Sequence, residues 1–510
     1  MVCKLLSLGW KGLDVYPVCV EVDVHRGLPA VSLVGLLDTA AKESKDRIRA
    51  GIKNSGYEFP SRRITVSLAP ASRKKEGSHF DLAMALGILS ASQQIVFSRL
   101  SSYCIAGELS LEGEVRPVKG IFPMALYARE AQKTLILPEE NVKEAGCVHG
   151  LTLYPVKTLQ EAVSFLSGYA TRRPYTINYR DRQGVTPAQE GDFGEVRGQI
   201  FAKRALEVAV SGMHNVLLIG PPGVGKTMLA RRVPSILPSM CFEEMLEVTR
   251  IYSVTGLLRP HESLIRSRPF RAPHHTSSSV ALVGGGVQIQ PGEITLSHRG
   301  VLFLDELPEF NRSTLEALRQ PLEDGAVHIS RAAHRVQYPS RFLLVAAMNP
   351  CPCGYYGSRD KACHCSSSHI QKYRNKISGP LLDRVDVHVE LADVKTDELM
   401  EPESLEEGSA QIRERVEAAR KIQQSRFRRE RIKFNSQMNA KQLHRYCVLD
   451  SGSKELLRKA IGHFGMSARA YHKVLRVSRT IADLNKRAQI SVDDVAEATQ
   501  YRSLDKNLWV

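Results

Sequence analysis

The chain has 510 residues, 43% hydrophobic and 24% charged, the ordinary balance of a soluble protein and enough for about three domains with cores of their own. Lysine and arginine outnumber aspartate and glutamate 70 to 54, a surplus of 16 that favours a polyanionic partner such as nucleic acid and leaves a basic but inert surface as the alternative. No apolar run approaches the roughly 18 residues of a membrane span, and Lys4 and Lys11 interrupt the stretch where a secretory signal needs an apolar core, so a cytoplasmic protein without a membrane partner is expected.

Residues 1–172 read as a separate α+β domain. Alternating apolar residues at 18–24, 30–34 and 64–69 predict strands, and 38–54 and 81–90 carry helical spacing. Residues 111–117 have the glycine-centred look of a hairpin. The stretch GELSLEGEVRPVKG at 107–120, followed by a helix and TLILPEEN at 134–141, resembles the proteolytic domain of Lon-type proteases. On this resemblance the family's Ser–Lys dyad falls at His79 and Phe122. Imidazole is a poor stand-in for an alkoxide and phenylalanine has no amine, so a Lon-like fold without peptidase activity is expected, although Ser78 lies only one position away. Residues 173–192 mix Pro, Gly and charge without periodicity and read as a linker.

A motor domain is expected over 193–395. Its clearest signature is GPPGVGKT, comprising Gly220, Pro221, Pro222, Gly223, Val224, Gly225, Lys226 and Thr227, between an apolar strand pattern and a helical one. Strand, glycine-rich turn and helix form the context in which backbone amides close around phosphates. There Lys226 reaches the β- and γ-phosphates and Thr227 ligates Mg²⁺. The apolar run 300–304 ends in Asp305 and Glu306, a Walker B pattern in which Asp305 holds Mg²⁺ through water and Glu306 polarises the attacking water. The next apolar run ends at Asn349. In the AAA+ fold this is the position of sensor 1, though an asparagine before Pro350 is also a good turn starter.

Four thiols follow directly, Cys351, Cys353, Cys363 and Cys365, while the other six cysteines are scattered. Two close pairs can close a tetrahedral Zn²⁺ site of purely structural character, with His364 or His369 as substitutes for one sulfur and free thiols as the alternative.

Residues 396–510 read as a helical lid, with helices at 406–429, 440–446, 453–464, 467–487 and 492–500. The basic run at 426–431 is read equally as a solvated face or as a contact for DNA or another subunit.

Further motifs carry a second resemblance: RPFRAPHHTSS at 268–278, LDELPEF at 304–310, MNPCPCG at 348–354 and SGPLLDR at 378–384. With the phosphate loop and the Lon-like domain, they are similar to the magnesium-chelatase-like AAA+ proteins, and most closely to the YifB/ComM family, over almost the whole chain. The fold implied is α/β: an AAA+ P-loop domain with a helix-2 insert at 279–296 and a pre-sensor-1 hairpin at 327–338, an α+β Lon-like N-terminal domain and an all-α C-terminal lid. The activity implied is that of a hexameric, ATP-hydrolysing DNA helicase that migrates branches and aids DNA integration in natural transformation, with single-stranded or branched DNA as partner.

On the same resemblance Arg384 is an arginine finger supplied to the neighbouring subunit, against an ordinary pair with Asp383 or Asp386. Arg469 is sensor 2, contacting the nucleotide phosphates of its own or the next subunit. Arg331, His334 and Arg335 on the hairpin are candidates for DNA phosphates, or for packing against a neighbour. Two rival readings remain: a chelatase-type motor acting on a protein partner, and an ATP-dependent protease.

Overall fold

The computed structural model describes residues 2–97, 99–169, 173–175, 191–259, 262–286, 289–331, 334–358, 361–392 and 407–503, the side chains of Arg331 and His334 excepted. The expected linker lies outside the described residues except at its ends. Two compact units emerge: Met1–Val185 with Phe242–Ile265, and Thr186–Cys241 with Arg266–Val510.

The first unit is built on a seven-stranded mixed sheet in the order Ala30–Val34, Arg63–Ala69, Asp14–His25, Val2–Lys11, Tyr103–Ile105, Thr134–Pro138, Leu153–Val156. Alternation places Val18, Val20, Val22 and Val24 in the core. The expected helices appear as Thr39–Asn54, capped by Asp38, and Asp81–Ala91. The latter is buried on almost every side, so close to the sheet that a Cβ on Gly87 would lie 2.6 Å from Val22.

The strand Val2–Lys11 has no counterpart in the sequence reading. Its partner supplies the reason: it pairs antiparallel with Asp14–His25 along its whole length. The predicted hairpin is present as Glu108–Leu109 against Val115–Arg116, turning at Gly113 with φ +86°.

A second departure concerns Phe242–Thr255. This helix lies within the stretch read as motor, yet it packs in the first unit against the helix Ile121–Glu130. Ser253 fixes it there: its hydroxyl donates to Glu144 at 2.5 Å, and its carbonyl accepts from Gly120 N at 3.1 Å. Burial raises the Glu144 pKa against hydrogen bonds from Ser253, Phe122 N and Asn141.

The second unit contains a five-stranded parallel sheet in the order Phe270–Arg271, Val301–Leu304, Leu343–Met348, Val216–Ile219, Val387–Glu390. Its three inner strands are apolar and buried throughout, as expected of a parallel sheet covered on both faces. The hairpin Ala326–Arg331/His334–Pro339 forms outside this sheet, and the 279–296 stretch contains two short helices, Ser279–Val283 and Glu293–Leu296, joined through a two-residue pairing.

The C-terminal helices Ser409–Arg426, Ala440–Tyr446, Ser451–Phe464, Ala468–Leu484 and Val492–Gln500 share one hydrophobic core with the sheet. Among the described residues no helix is long and apolar enough to cross a membrane.

A candidate nucleotide site and a four-cysteine cluster

Parallel strands bring their C-terminal ends to one edge, and the loops leaving those ends hold the predicted residues. Gly220 to Thr227 follows Val216–Ile219, Asp305 and Glu306 follow Val301–Leu304, and Asn349 follows Leu343–Met348. Gly223 and Gly225 adopt φ +87° and +92°, and a Cβ built on either meets nothing within 4 Å. The turn is therefore one that glycine permits, with open space above it for phosphate oxygens.

Lys226 begins the helix Lys226–Ile236, and its ammonium donates to Gly220 O and Pro221 O at 2.7 Å each and to Asn349 Oδ1 at 3.0 Å. Burial lowers its pKa, while Asp305 and Glu306 pull the other way. Thr227 Oγ1 donates to Asp305 Oδ2 at 2.7 Å, so the two predicted Mg²⁺ ligands already face one another. Open glycine turn, inward lysine, paired hydroxyl and carboxylate suit a nucleoside triphosphate with its magnesium.

Sequence reasoning assigned no role to His275. Its Nδ1 lies 3.0 Å from Glu306 Oε2, and its ring meets Phe310 edge-on. Glu306 itself holds a left-handed backbone with φ +52°, the kind of local strain that collects at functional positions. The signal was present in RPFRAPHHTSS, but only tertiary structure shows that the loop after Phe270–Arg271 lies beside the loop after Val301–Leu304, through the parallel pairing of those strands.

Two predicted residues lie elsewhere. Asn215, just before Val216–Ile219, donates through Nδ2 to Arg384 O at 2.8 Å, and Val216 is in parallel register with Val387. Arg384 therefore sits where the strands begin, opposite the edge that holds the phosphate loop. Neither Asp383 nor Asp386 is its partner, as the alternative had it: the guanidinium pairs with Glu323 and donates to Pro380 O. Asp383 instead accepts from Arg469 at 2.7 Å, and Asp386 is bound to His214 at 3.2 Å. Arg469, with 70% of its side chain exposed, thus belongs to the Arg384 end of the unit.

The four cysteine sulfurs all lie within 4.8 Å of one another. Separations of 3.3 Å for Cys351–Cys353, 3.7 Å for Cys351–Cys363 and 3.6 Å for Cys353–Cys363 are near the roughly 3.8 Å edge of a tetrahedron with Zn–S bonds of about 2.3 Å. Thiols in this arrangement could hold zinc. The loop abuts the nucleotide site, since a Cβ on Gly354 would lie 2.7 Å from Pro222 Cδ.

On the hairpin Arg335 is exposed, and the side chains of Arg331 and His334 lie outside the described residues. In the first unit Ser78 Oγ donates to Glu108, while His79 and Phe122 are both buried.

Parallel sheet, phosphate loop and acidic strand end are those of an AAA+ protein of the magnesium-chelatase type. Family models agree: "Magnesium chelatase, subunit ChlI" matches residues 192–399, "Subunit ChlI of Mg-chelatase" matches 20–141, and "Magnesium chelatase, subunit ChlI C-terminal" matches 406–502. The protein YifB of Salmonella typhimurium is 42% identical, with 98% of this chain and 96% of that protein aligned. Competence protein ComM of Haemophilus influenzae is 43% identical over 97% of this chain and 96% of its own length. The chain belongs to the YifB/ComM family. A Lon protease of Methanosphaera stadtmanae is 28% identical over 36% of this chain and 23% of its own.

Proposed function

We propose that the chain is an ATP-hydrolysing ring motor acting on DNA, a branch-migration helicase that supports DNA integration or recombination in natural transformation. The observation that carries the motor reading is the division of the catalytic set. Lys226, Thr227, Asp305, Glu306 and Asn349 share one edge of the sheet, while Arg384 and Arg469 lie at the other. A chain cannot bring its own Arg384 to its own phosphates across the length of its strands, so a ring in which each subunit completes its neighbour's site accounts for both groups.

Bound ATP and Mg²⁺ supply the phosphoanhydride bond and the metal charge that offsets the phosphates. Lys226 exchanges its carbonyl partners for phosphate oxygens, Asn349 follows it, and Glu306 leaves His275 to orient and deprotonate water. Arg384 and Arg469 from the next subunit neutralise the developing charge.

Similarity to a competence protein, a surplus of 16 positive charges and the exposed Arg335 on the hairpin support DNA as the polymer moved. The second reading, a motor acting on a protein partner, draws on the magnesium-chelatase models. Peptide hydrolysis has less support, because Phe122 offers no amine and is buried. The cysteine cluster is proposed to bind one structural Zn²⁺.

The deciding experiment is ATP-dependent migration of a Holliday junction by wild type, Lys226→Ala and Glu306→Gln, alongside ATPase rates with and without DNA. Junction migration and DNA-stimulated hydrolysis in wild type alone support the helicase. ATPase activity indifferent to DNA, with no migration, rejects it in favour of the protein-directed motor.

A further inference from the structure

The positive surplus is unevenly placed. Residues 407–503 contain 21 Lys and Arg against 10 Asp and Glu, so this helical region holds eleven of the sixteen surplus charges. Some are internal: Arg420, Lys473, Arg479 and Arg502 are buried, and Arg426 and Arg479 converge on the buried Asp483. Of the exposed remainder, one group follows the end of the helix Ser409–Arg426 directly. Arg428, Arg429, Arg431 and Lys433 are all exposed, and among the described residues none of them has an ion-pair partner.

The fold holds this turn in place. Phe427 is buried and meets the Tyr446 ring edge-on at 5.7 Å. Glu430 is engaged as well, accepting from Gln442 Nε2 at 3.0 Å and Tyr446 Oη at 3.4 Å. Arg445, with 72% of its side chain exposed, joins the cluster 3.8 Å from the same carboxylate. Four exposed cations at 428–433 and Arg445 therefore accompany one carboxylate that the fold already uses. Such a concentration repels itself in solution and is relieved by a polyanion.

The chemistry of the patch narrows the polyanion. Single strands are gripped by aromatic rings on which bases stack. Here Phe427 is buried, Phe434 is half-buried with the Arg420 guanidinium 4.0 Å over its ring, and Tyr446 is half-buried, packed on Phe427 and overlaid by Arg445 at 5.1 Å. Guanidinium and ammonium groups whose neighbouring rings are already covered match the phosphate backbone of a duplex, read without regard to sequence.

We propose that Arg428, Arg429, Arg431, Lys433 and Arg445 form a duplex-DNA-binding surface on the helical region, separate from the hairpin. This rests on the DNA reading above and adds a second contact, one that holds a double-stranded arm by its phosphates.

The test uses the full-length protein and measures binding of a fluorescent duplex and a fluorescent single strand across a salt series. Arg428→Ala/Arg429→Ala/Arg431→Ala should weaken duplex binding by about tenfold or more near 0.1 M salt and flatten the log–log salt slope by about 2–3, one counterion per lost phosphate contact. Single-strand affinity and DNA-free ATPase rate should stay within about twofold, and the triple Arg→Lys variant should keep most of the slope, because lysine retains the charge. Duplex affinity and slope equal to wild type overturn the surface while leaving the DNA motor standing. Weakened binding that coincides with lost ring assembly overturns it too, and assigns the arginines to a neighbouring subunit. A wild type that binds no DNA overturns both proposals.

Discussion

Lys226 donates to two loop carbonyls and to Asn349, an arrangement in which its charge is partly desolvated and ready to be exchanged for phosphate. Lys226→Ala is expected to lose most ATP affinity. Glu306→Gln should bind ATP within about threefold of wild type while kcat falls by about 100-fold or more, since only the proton acceptor is removed. Equilibrium nucleotide binding beside steady-state hydrolysis separates the two.

Another residue-scale expectation concerns His79, whose ring packs at a tilt against Trp10 at 4.5 Å and Phe80 at 3.9 Å. Burial holds its pKa down to about 3. Below pH ~6.5 the unfolded chain takes up a proton that the folded chain refuses, so this residue's contribution is intact above that pH and is lost as pH falls towards 3, by about 2 kcal/mol at pH 5. Asp81, pushed up to about 6 by burial, acts in the opposite sense. The comparison is therefore between wild type and His79→Phe: melting at pH 7.5 and 5.0 should show a larger acid-induced drop in wild type. Equal drops would remove His79 as the cause.

At the scale of elements, the cysteine loop and the helix Phe242–Thr255 show how local features gain meaning from their neighbours. Metal analysis should find one zinc per chain, lost in Cys363→Ser. Gly354→Ala should keep the zinc but weaken ATP binding by roughly tenfold, because a Cβ at φ +89° meets Pro222 of the phosphate loop. Unchanged ATP affinity would mean that the two loops move independently.

For the helix, Ser253→Val removes the hydroxyl that satisfies Glu144 and leaves a buried carboxylate short of a donor. Faster limited proteolysis within 242–265, at unchanged ATP affinity, is the expected sign of a loosened helix. The strand Val2–Lys11 is similarly hard to recognise in isolation, since pairing with Asp14–His25 and Tyr103–Ile105 is what makes it a strand.

On the scale of the whole molecule, separation of Arg384 from Lys226 predicts complementation. Arg384→Ala and Lys226→Ala should each be inactive as homo-oligomers. Mixed, they should recover up to about a quarter of wild-type ATPase, because some interfaces then join an intact loop to an intact finger. Absence of recovery in mixed assemblies confirmed by co-purification would argue against a shared site. The same interface should require Arg469, which Asp383 holds one residue away from the finger.

The phosphate loop, the acidic strand end and Asn349 were legible because each depends on a short contiguous pattern: an apolar strand, then a residue type that the local chemistry demands. The capped helices and the cysteine bunch were legible for the same reason. Sequence by itself thus determined the family, the residues that gather at the phosphate-loop edge and most of the elements. Tertiary structure alone decided which edge of the sheet receives each residue, and so separated Arg384 and Arg469 from the loop, brought His275 to Glu306, seated Gly354 on Pro222 and took Phe242–Thr255 out of the motor unit. Strand order, parallel register and long-range burial set those distances, and none of them leaves a periodic trace in a linear chain.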